Sequence, residues 1–411
     1  MVDLNILKVT NGIRKKNLVA LSGTRVLHGF GVAMFSVIYQ PFILDITKSL
    51  FLTGIIVSLG SVMQFLPMPL VGRLSDKLGH KNTLIMSIPV YILSLVSLIY
   101  ANSNAIYLLI FGILVYFLGL TLNTINSQFL VSVNSGSSKG FMYGIVFASY
   151  FLGTIAGNFF VIIGAGLASQ FFFTLFIILL IIEGIIIFFF ISNNTSHIKE
   201  KHNEEIILAD DEEKMWVKFI KIPKMRVILI FFTIDIFIYG TTLSVYNGGL
   251  SDYYHLTTDQ ISFITIWMNI TNMIFQIPAG RITDKLGKKK AILISQIFGL
   301  GFFIFNISAS ILWEFINTEI IILFLIFGYI SLALSIVTFI PSEQIILTDI
   351  GKNKKAESYG VVSFVRGLGY IPTGVIAGLL IENVSYLAPL IISLIGVLFE
   401  IWFLLKFFNH D

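Results

Sequence analysis

The sequence predicts an all-α membrane protein of twelve transmembrane helices arranged as two six-helix pseudo-symmetric bundles. Three observations carry that expectation. The 411 residues are 56% hydrophobic and only 12% charged, with a mean hydropathy of +0.90, so polar surface is too scarce to cover a water-soluble globule of this size. Twelve apolar stretches are each long enough to cross about 30 Å of hydrocarbon, which takes roughly 20 helical residues. A decapeptide, GRLSDKLGHK from Gly72, is written again as GRITDKLGKK from Gly280, with seven identical and two conservative positions.

The predicted spans run in order over 18–40, 50–71, 82–101, 106–132, 140–166 and 171–191, then over 226–249, 258–279, 290–313, 319–347, 357–380 and 385–407. Basic residues are retained on the cytoplasmic side of a membrane. Lys8, Arg14, Lys15 and Lys16 precede span 1, and the connections after spans 2, 4, 8 and 10 hold most of the other cations, such as Arg73, Lys139, Arg281 and Lys352. The opposite connections hold Lys48 among neutral and acidic residues such as Asp45, Asp252 and Glu382. Both termini are therefore expected in the cytoplasm of a cell whose plasma membrane the chain crosses. The net charge of +4 follows from this topology and calls for no nucleic-acid partner. The first apolar stretch is expected to remain as span 1, since no small-residue cleavage pattern follows it.

The one long hydrophilic segment divides the spans six from six, which predicts an N-terminal bundle over 1–191, a cytoplasmic linker over 192–225 and a C-terminal bundle over 226–411. The repeat reaches beyond the decapeptide. MYGIVFASYFLG from Met142 aligns without gaps on SYGVVSFVRGLG from Ser358, matching Tyr143 with Tyr359 and Gly153 with Gly369, and Gln128 falls on Gln344 in the same register. Two copies of one six-helix unit in the same orientation are a transporter architecture.

Gly72, Asp76, Gly79 and Lys81, repeated as Gly280, Asp284, Gly287 and Lys289, match the G-x-x-x-D-x-x-G-x-[RK] pattern between spans 2 and 3 and again between spans 8 and 9. On these residues the chain resembles the major facilitator superfamily over essentially its whole length. The resemblance implies alternating access by rocking of the two halves. It also implies that Asp76 and Asp284, each in a loop, latch onto the helix starts of spans 11 and 5, where the dipole favours an anion. Arg73, Lys81, Arg281 and Lys289 complete those gates, and the side-chain-free Gly72 and Gly280 let a helix end approach its neighbour closely.

A charge near a helix centre costs about 2.5 to 3.5 kcal/mol on the insertion scale, so intramembrane charges need a reason. Arg25 lies about 10 Å deep, Asp235 and Arg366 about 14 Å and Glu343 about 9 Å, at about 1.5 Å per residue. Their similar depth suggests mutual neutralisation around one aqueous cavity, which the resemblance places between spans 1, 4, 7 and 10. His28 lies one turn from Arg25 on the same span. Asn123, Asn126, Gln128, Asn269 and Asn272 add uncharged polar groups on spans expected to line the cavity. Asp235 or Glu343 is the expected proton carrier, with Arg25 and Arg366 either holding an anionic substrate group or keeping those carboxylates ionised. Glu183 and Glu400 fall on spans 6 and 12, which the resemblance puts on the outside, where they snorkel, stay protonated or pair with neighbours.

The expected function is secondary active transport of a small organic solute, driven by a proton gradient and needing no cofactor, by a monomer in the lipid bilayer. Multidrug efflux in exchange for protons is the alternative, although span 5 reads GTIAGNFF where the drug antiporters of the resemblance carry G-P-x-x-G-G, and span 4 lacks their Arg. A transporter-like sensor or lipid-moving protein is a further alternative. An enzyme is not expected: the six histidines form no HExxH or comparable metal spacing, and no phosphate-binding G-x-x-x-x-G-K-[ST] occurs. The absence of cysteine removes thiolate chemistry and disulfides altogether.

Overall fold

The computed structural model describes residues 2–134, 139–192, 223–350 and 355–407. Six rods form the first half: α1 (Val2–Thr47), the pair α2 (Leu50–Phe65) and α3 (Met68–Leu78), α4 (His80–Ile99), α5 (Ile106–Asn134), α6 (Lys139–Ile163) and α7 (Ser169–Phe190). Six more form the second: the pair α8 (Pro223–Leu243) and α9 (Tyr246–Tyr253), α10 (Thr258–Leu286), α11 (Lys288–Leu312), α12 (Thr318–Ile350), the pair α13 (Lys355–Tyr370) and α14 (Thr373–Asn383), and α15 (Leu387–Phe407). Among the described residues eleven of these rods are long and apolar enough to cross a bilayer, and the 29-residue α10 completes the two sets of six. Residues 193–222 of the expected linker lie outside the described residues.

Spans 2 and 11 are broken at Pro67 and Pro372, each of which opens the second helix of its pair. Proline lacks the N–H that would continue the ladder, yet it suits a first helical turn. Span 7 breaks at Ser244 and Val245, where the freed carbonyl of Ser244 accepts a hydrogen bond from Gln40 Nε2 at 2.9 Å. A carbonyl released inside a membrane protein needs such a partner.

Each half has its own apolar core. One cluster joins Met34, Tyr91, Ile113 and Phe176 within the first half, and another joins Leu250, Ile264, Phe302 and Leu325 within the second. The halves meet chiefly through α2 with α14 and α6 with α10, and further through α3 with α13 and α1 with α9. Gly54 and Gly374 cross so closely that a Cβ on either would run into the carbonyl of the other, and a Cβ at Gly378 would lie 2.7 Å from Cα of Phe51. Close backbone approach at small residues is the usual way membrane helices gain packing energy. The glycine pair Gly153 and Gly157 does the same within the first half, against the carbonyls of Val26 and Phe30 on α1.

The face opposite the chain ends is sealed by polar contacts between the halves. Gln40 Oε1 accepts from the Gly248 N–H at 3.0 Å, and Asn247 Nδ2 donates to the Ser36 carbonyl at 2.9 Å. Glu382 on α14 sits at the start of α2, accepting from the Ser49 hydroxyl at 2.6 Å and the Phe51 N–H at 3.0 Å. A carboxylate is stabilised there by the unpaired first-turn N–H groups.

The repeated decapeptide departs from expectation. It is not a loop: Gly72 to Leu78 continue α3, and Gly280 to Leu286 continue α10. The turns are made by the second glycine of each copy, Gly79 with φ 87° and Gly287 with φ 81°. With ψ of 141° and 160°, both occupy backbone space that is essentially closed to residues with a side chain. The close approach expected at Gly72 is absent, since a Cβ there would meet nothing within 4 Å. Gly79→Ala is therefore expected to destabilise the protein by about 1 to 3 kcal/mol, whereas Gly72→Ala is expected to be neutral or stabilising by up to about 1 kcal/mol. Thermal unfolding of the two variants in detergent checks the contrast.

Lys81 donates to the Phe188 carbonyl at 2.9 Å, in the last turn of α7, where the helix dipole favours a cation. The side chains of Asp76, Arg281 and Asp284 lie outside the described residues, as does any contact of Gly280. The helix pairings that their latches need are present: α3 packs on α13, and α10 packs on α6.

Candidate functional site

The buried charges form two clusters rather than one, because each half folds around its own polar network. In the second half, Arg366 on α13 makes an ion pair with Glu343 on α12, and its Nη2 lies 3.8 Å from Asp235 Oδ2 on α8. The guanidinium rests over the rings of Phe232 and Phe339, 5.4 and 5.8 Å from their centroids. Asp235 Oδ1 accepts from Gln296 Nε2 at 3.0 Å, and Gln296 Oε1 accepts from the Tyr239 hydroxyl at 3.1 Å. One cation thus serves two carboxylates, with a fixed amide holding one of them in place. The side chain of Arg366 keeps 19% exposure, so the cluster is not fully enclosed by protein.

Arg25 does not join that cluster, contrary to the expectation of one shared cavity. Its Nη2 donates to Asn123 Oδ1 on α5 at 2.8 Å, and no carboxylate pairs with it among the described residues. Three residues along α1, His28 Nδ1 lies 3.1 Å from Glu183 Oε2 on α7. The His28 ring packs 5.5 Å from that of Tyr91 and 6.3 Å from that of Phe176. Glu183 and Glu400 do not snorkel. They are 1% and 0% exposed and turn inward, Glu183 to His28, while both Glu400 oxygens have no partner among the described residues. The position of a span at the periphery of a bundle does not set which face its polar side chain takes.

A cavity of about 220 Å³ opens in the first half, lined by Arg25, His28, Thr124, Ser127, Gln128 and Tyr150 together with Leu120, Phe147 and two valines. Along α5 it runs from Leu120 to Val131, about 16 Å at 1.5 Å per residue, in the direction of the chain-end face. The two networks occupy matching places. In the register that aligns Tyr143 with Tyr359, Tyr150 at the cavity stands where Arg366 stands in the second half.

The expected amides divide. Asn123 and Gln128 are at the cavity. Asn126 instead faces the decapeptide, its Oδ1 3.3 Å from His80 Nδ1 while its Nδ2 donates to the Leu122 carbonyl. Asn269 and Asn272 are buried on α10, and no hydrogen bond joins either to a charged cluster among the described residues. Tyr239, Gln296 and Glu183 are not among the expected site residues. A lone Glu in the middle of span 6, whose mean hydropathy is 2.9, is the available signal for the last of them.

A family model described as Major Facilitator Superfamily matches residues 21–253 and 227–410. The chain belongs to the major facilitator superfamily. It is a membrane transporter and not an enzyme. Among solved structures, nucleoside transporter NupG aligns with a TM-score of 0.70 and 15% identity over 96% of this chain and 100% of that one. The partially occluded inward-open xylose transporter XylE from E. coli gives 0.72 and 16% over 96% and 98%. The human organic anion transporter MFSD10 gives 0.69 and 13% over 95% and 99%. Identities this low establish the superfamily fold and select no substrate. No curated protein matches the chain in sequence.

Proposed function

We propose that the protein is a proton-coupled secondary transporter of a small organic solute, working by alternating access in the plasma membrane with both termini in the cytoplasm. The observation that carries the coupling is the Asp235–Arg366–Glu343 cluster. One guanidinium balances one carboxylate, so the second needs a proton to reach neutrality within the membrane, where an uncompensated charge is costly. Losing that proton during the cycle lets both carboxylates compete for Arg366, which already lies within reach of each. Because Arg366 is on span 11, whose second helix packs on span 2 of the other half, this competition acts on a helix that crosses between the halves.

The sealed face opposite the chain ends, and the cavity extending toward the chain-end face, fit a state with its site turned to the cytoplasm. Opening the other way requires breaking the contacts of Gln40, Asn247 and Glu382.

Asp235→Asn tests the coupling. The amide keeps the shape and can still pair with Gln296, so the protein is expected to fold and to exchange solute across proteoliposomes with no gradient. Accumulation driven by a pH gradient is expected to fall at least tenfold. Wild-type accumulation in this variant would remove Asp235 from the coupling role.

A further inference from the structure

We infer that the cavity at Arg25 binds a small monocarboxylate, which names a substrate class for the transport reading above and rests on it. The two intramembrane arginines have opposite surroundings. Arg366 is held by two carboxylates, whereas Arg25 bonds the neutral carbonyl oxygen of Asn123 and, among the described residues, has Glu183 near it but beyond ion-pair distance. Glu183, a carboxylate in the same half, has Oε2 on His28 and is 1% exposed. No nitrogen of Arg25 is among the buried atoms lacking a partner, so those that Asn123 leaves open turn toward the cavity that Arg25 lines.

A guanidinium with open nitrogens at a cavity inside a membrane protein is a site for an oxyanion, because its planar fork matches two carboxylate oxygens. Charge selects among oxyanions. Arg25 and His28 both line the cavity, and His28 is paired with Glu183, so Arg25 is left to balance a single negative charge, while a phosphomonoester dianion would carry an uncompensated charge into a low-dielectric site. The rest of the lining suits an organic body: Thr124, Ser127 and the Tyr150 hydroxyl offer hydrogen bonds, and Leu120 and Phe147 offer apolar surface. At about 30 Å³ per water, the cavity has the volume of about seven waters, which suits a solute of about five to ten non-hydrogen atoms. Asn123 orients the guanidinium without neutralising it.

The test is thermal unfolding of the purified protein in detergent with matched pairs: propionate and propionamide, lactate and lactamide, benzoate and benzamide, with glycerol phosphate as the dianion. Bound ligand raises the unfolding temperature by mass action. At least one carboxylate is expected to stabilise the wild type at a concentration at least tenfold below that needed for its amide. Arg25→Gln is expected to remove that difference, and Arg25→Lys to keep it at weaker affinity. The inference is overturned if no carboxylate stabilises the wild type, if amides act equally, if glycerol phosphate alone acts, or if the carboxylate effect survives in Arg25→Gln. Should Arg25→Gln fail to fold, the wild-type pairs and Arg25→Lys still decide. The assay has no gradient, so Asp235→Asn is expected to retain carboxylate binding. Carboxylate binding together with wild-type accumulation in Asp235→Asn would sink the coupling reading and leave this site standing.

Discussion

Arg366→Met is expected to be the most damaging single change in the protein. It removes the cation from Asp235 and Glu343 together and leaves two carboxylates facing each other, both 7% exposed. Breaking a buried ion pair from one side costs about 3 to 5 kcal/mol, because the remaining charge stays desolvated. The variant is expected to unfold well below the wild-type temperature and to show no solute accumulation. Adding Glu343→Gln to it is expected to restore part of the lost stability, since one orphaned charge is then gone. A double-mutant cycle on unfolding free energy measures this coupling, expected at about 1 to 3 kcal/mol. Additive losses from the two substitutions would show that the ion pair does not set the energetics of the cluster.

Gly374→Leu is the second change expected to have a large effect, on function more than on folding. The crossing of α2 with α14 at Gly54 and Gly374 leaves no room for a side chain. A leucine there collides with backbone, which cannot yield as a side-chain tip can. The halves are therefore expected to part on the face opposite the chain ends, where Glu382 caps α2. Each half keeps its own core, so the protein is expected to insert and remain monodisperse. Spin labels at Lys48 and Asn317, on that face of the two halves, report the separation. A longer distance than in wild type, with transport abolished, is the expected result. An unchanged distance with normal transport would mean that the crossing is not required for closure.

The twelve spans are legible because hydrocarbon imposes a length and a composition that few other constraints override. The pairing of the halves is legible in the repeat. The decapeptide is harder to read. Its charges and two glycines suggest a loop, yet nothing between Gly72 and Leu78 interrupts a helix, and only the backbone shows that Gly79 makes the turn. Depth alone groups Arg25 with Asp235, Glu343 and Arg366. Depth says nothing about which side of a helix a residue takes, and Arg25 turns to Asn123 within its own half. Glu183 escapes the sequence for the same reason, since the partner that draws it inward, His28, is 155 residues away in the chain. Gln296 and Tyr239 carry no charge, so nothing in the sequence distinguishes them from other polar residues in apolar helices.

In a proton-coupled transporter, solute movement and proton movement are one event. The most direct measurement of that event is the internal pH of proteoliposomes that hold the purified wild-type protein and a trapped pH-sensitive dye, on addition of small organic solutes, beginning with the carboxylates that stabilise it. Weak acids cross lipid unaided, so protein-free vesicles and vesicles holding Asp235→Asn serve as controls. For at least one transported solute, a pH change larger in wild-type vesicles than in either control is expected. Solute uptake by the wild-type protein with a pH change no larger than in the controls would rule out proton coupling.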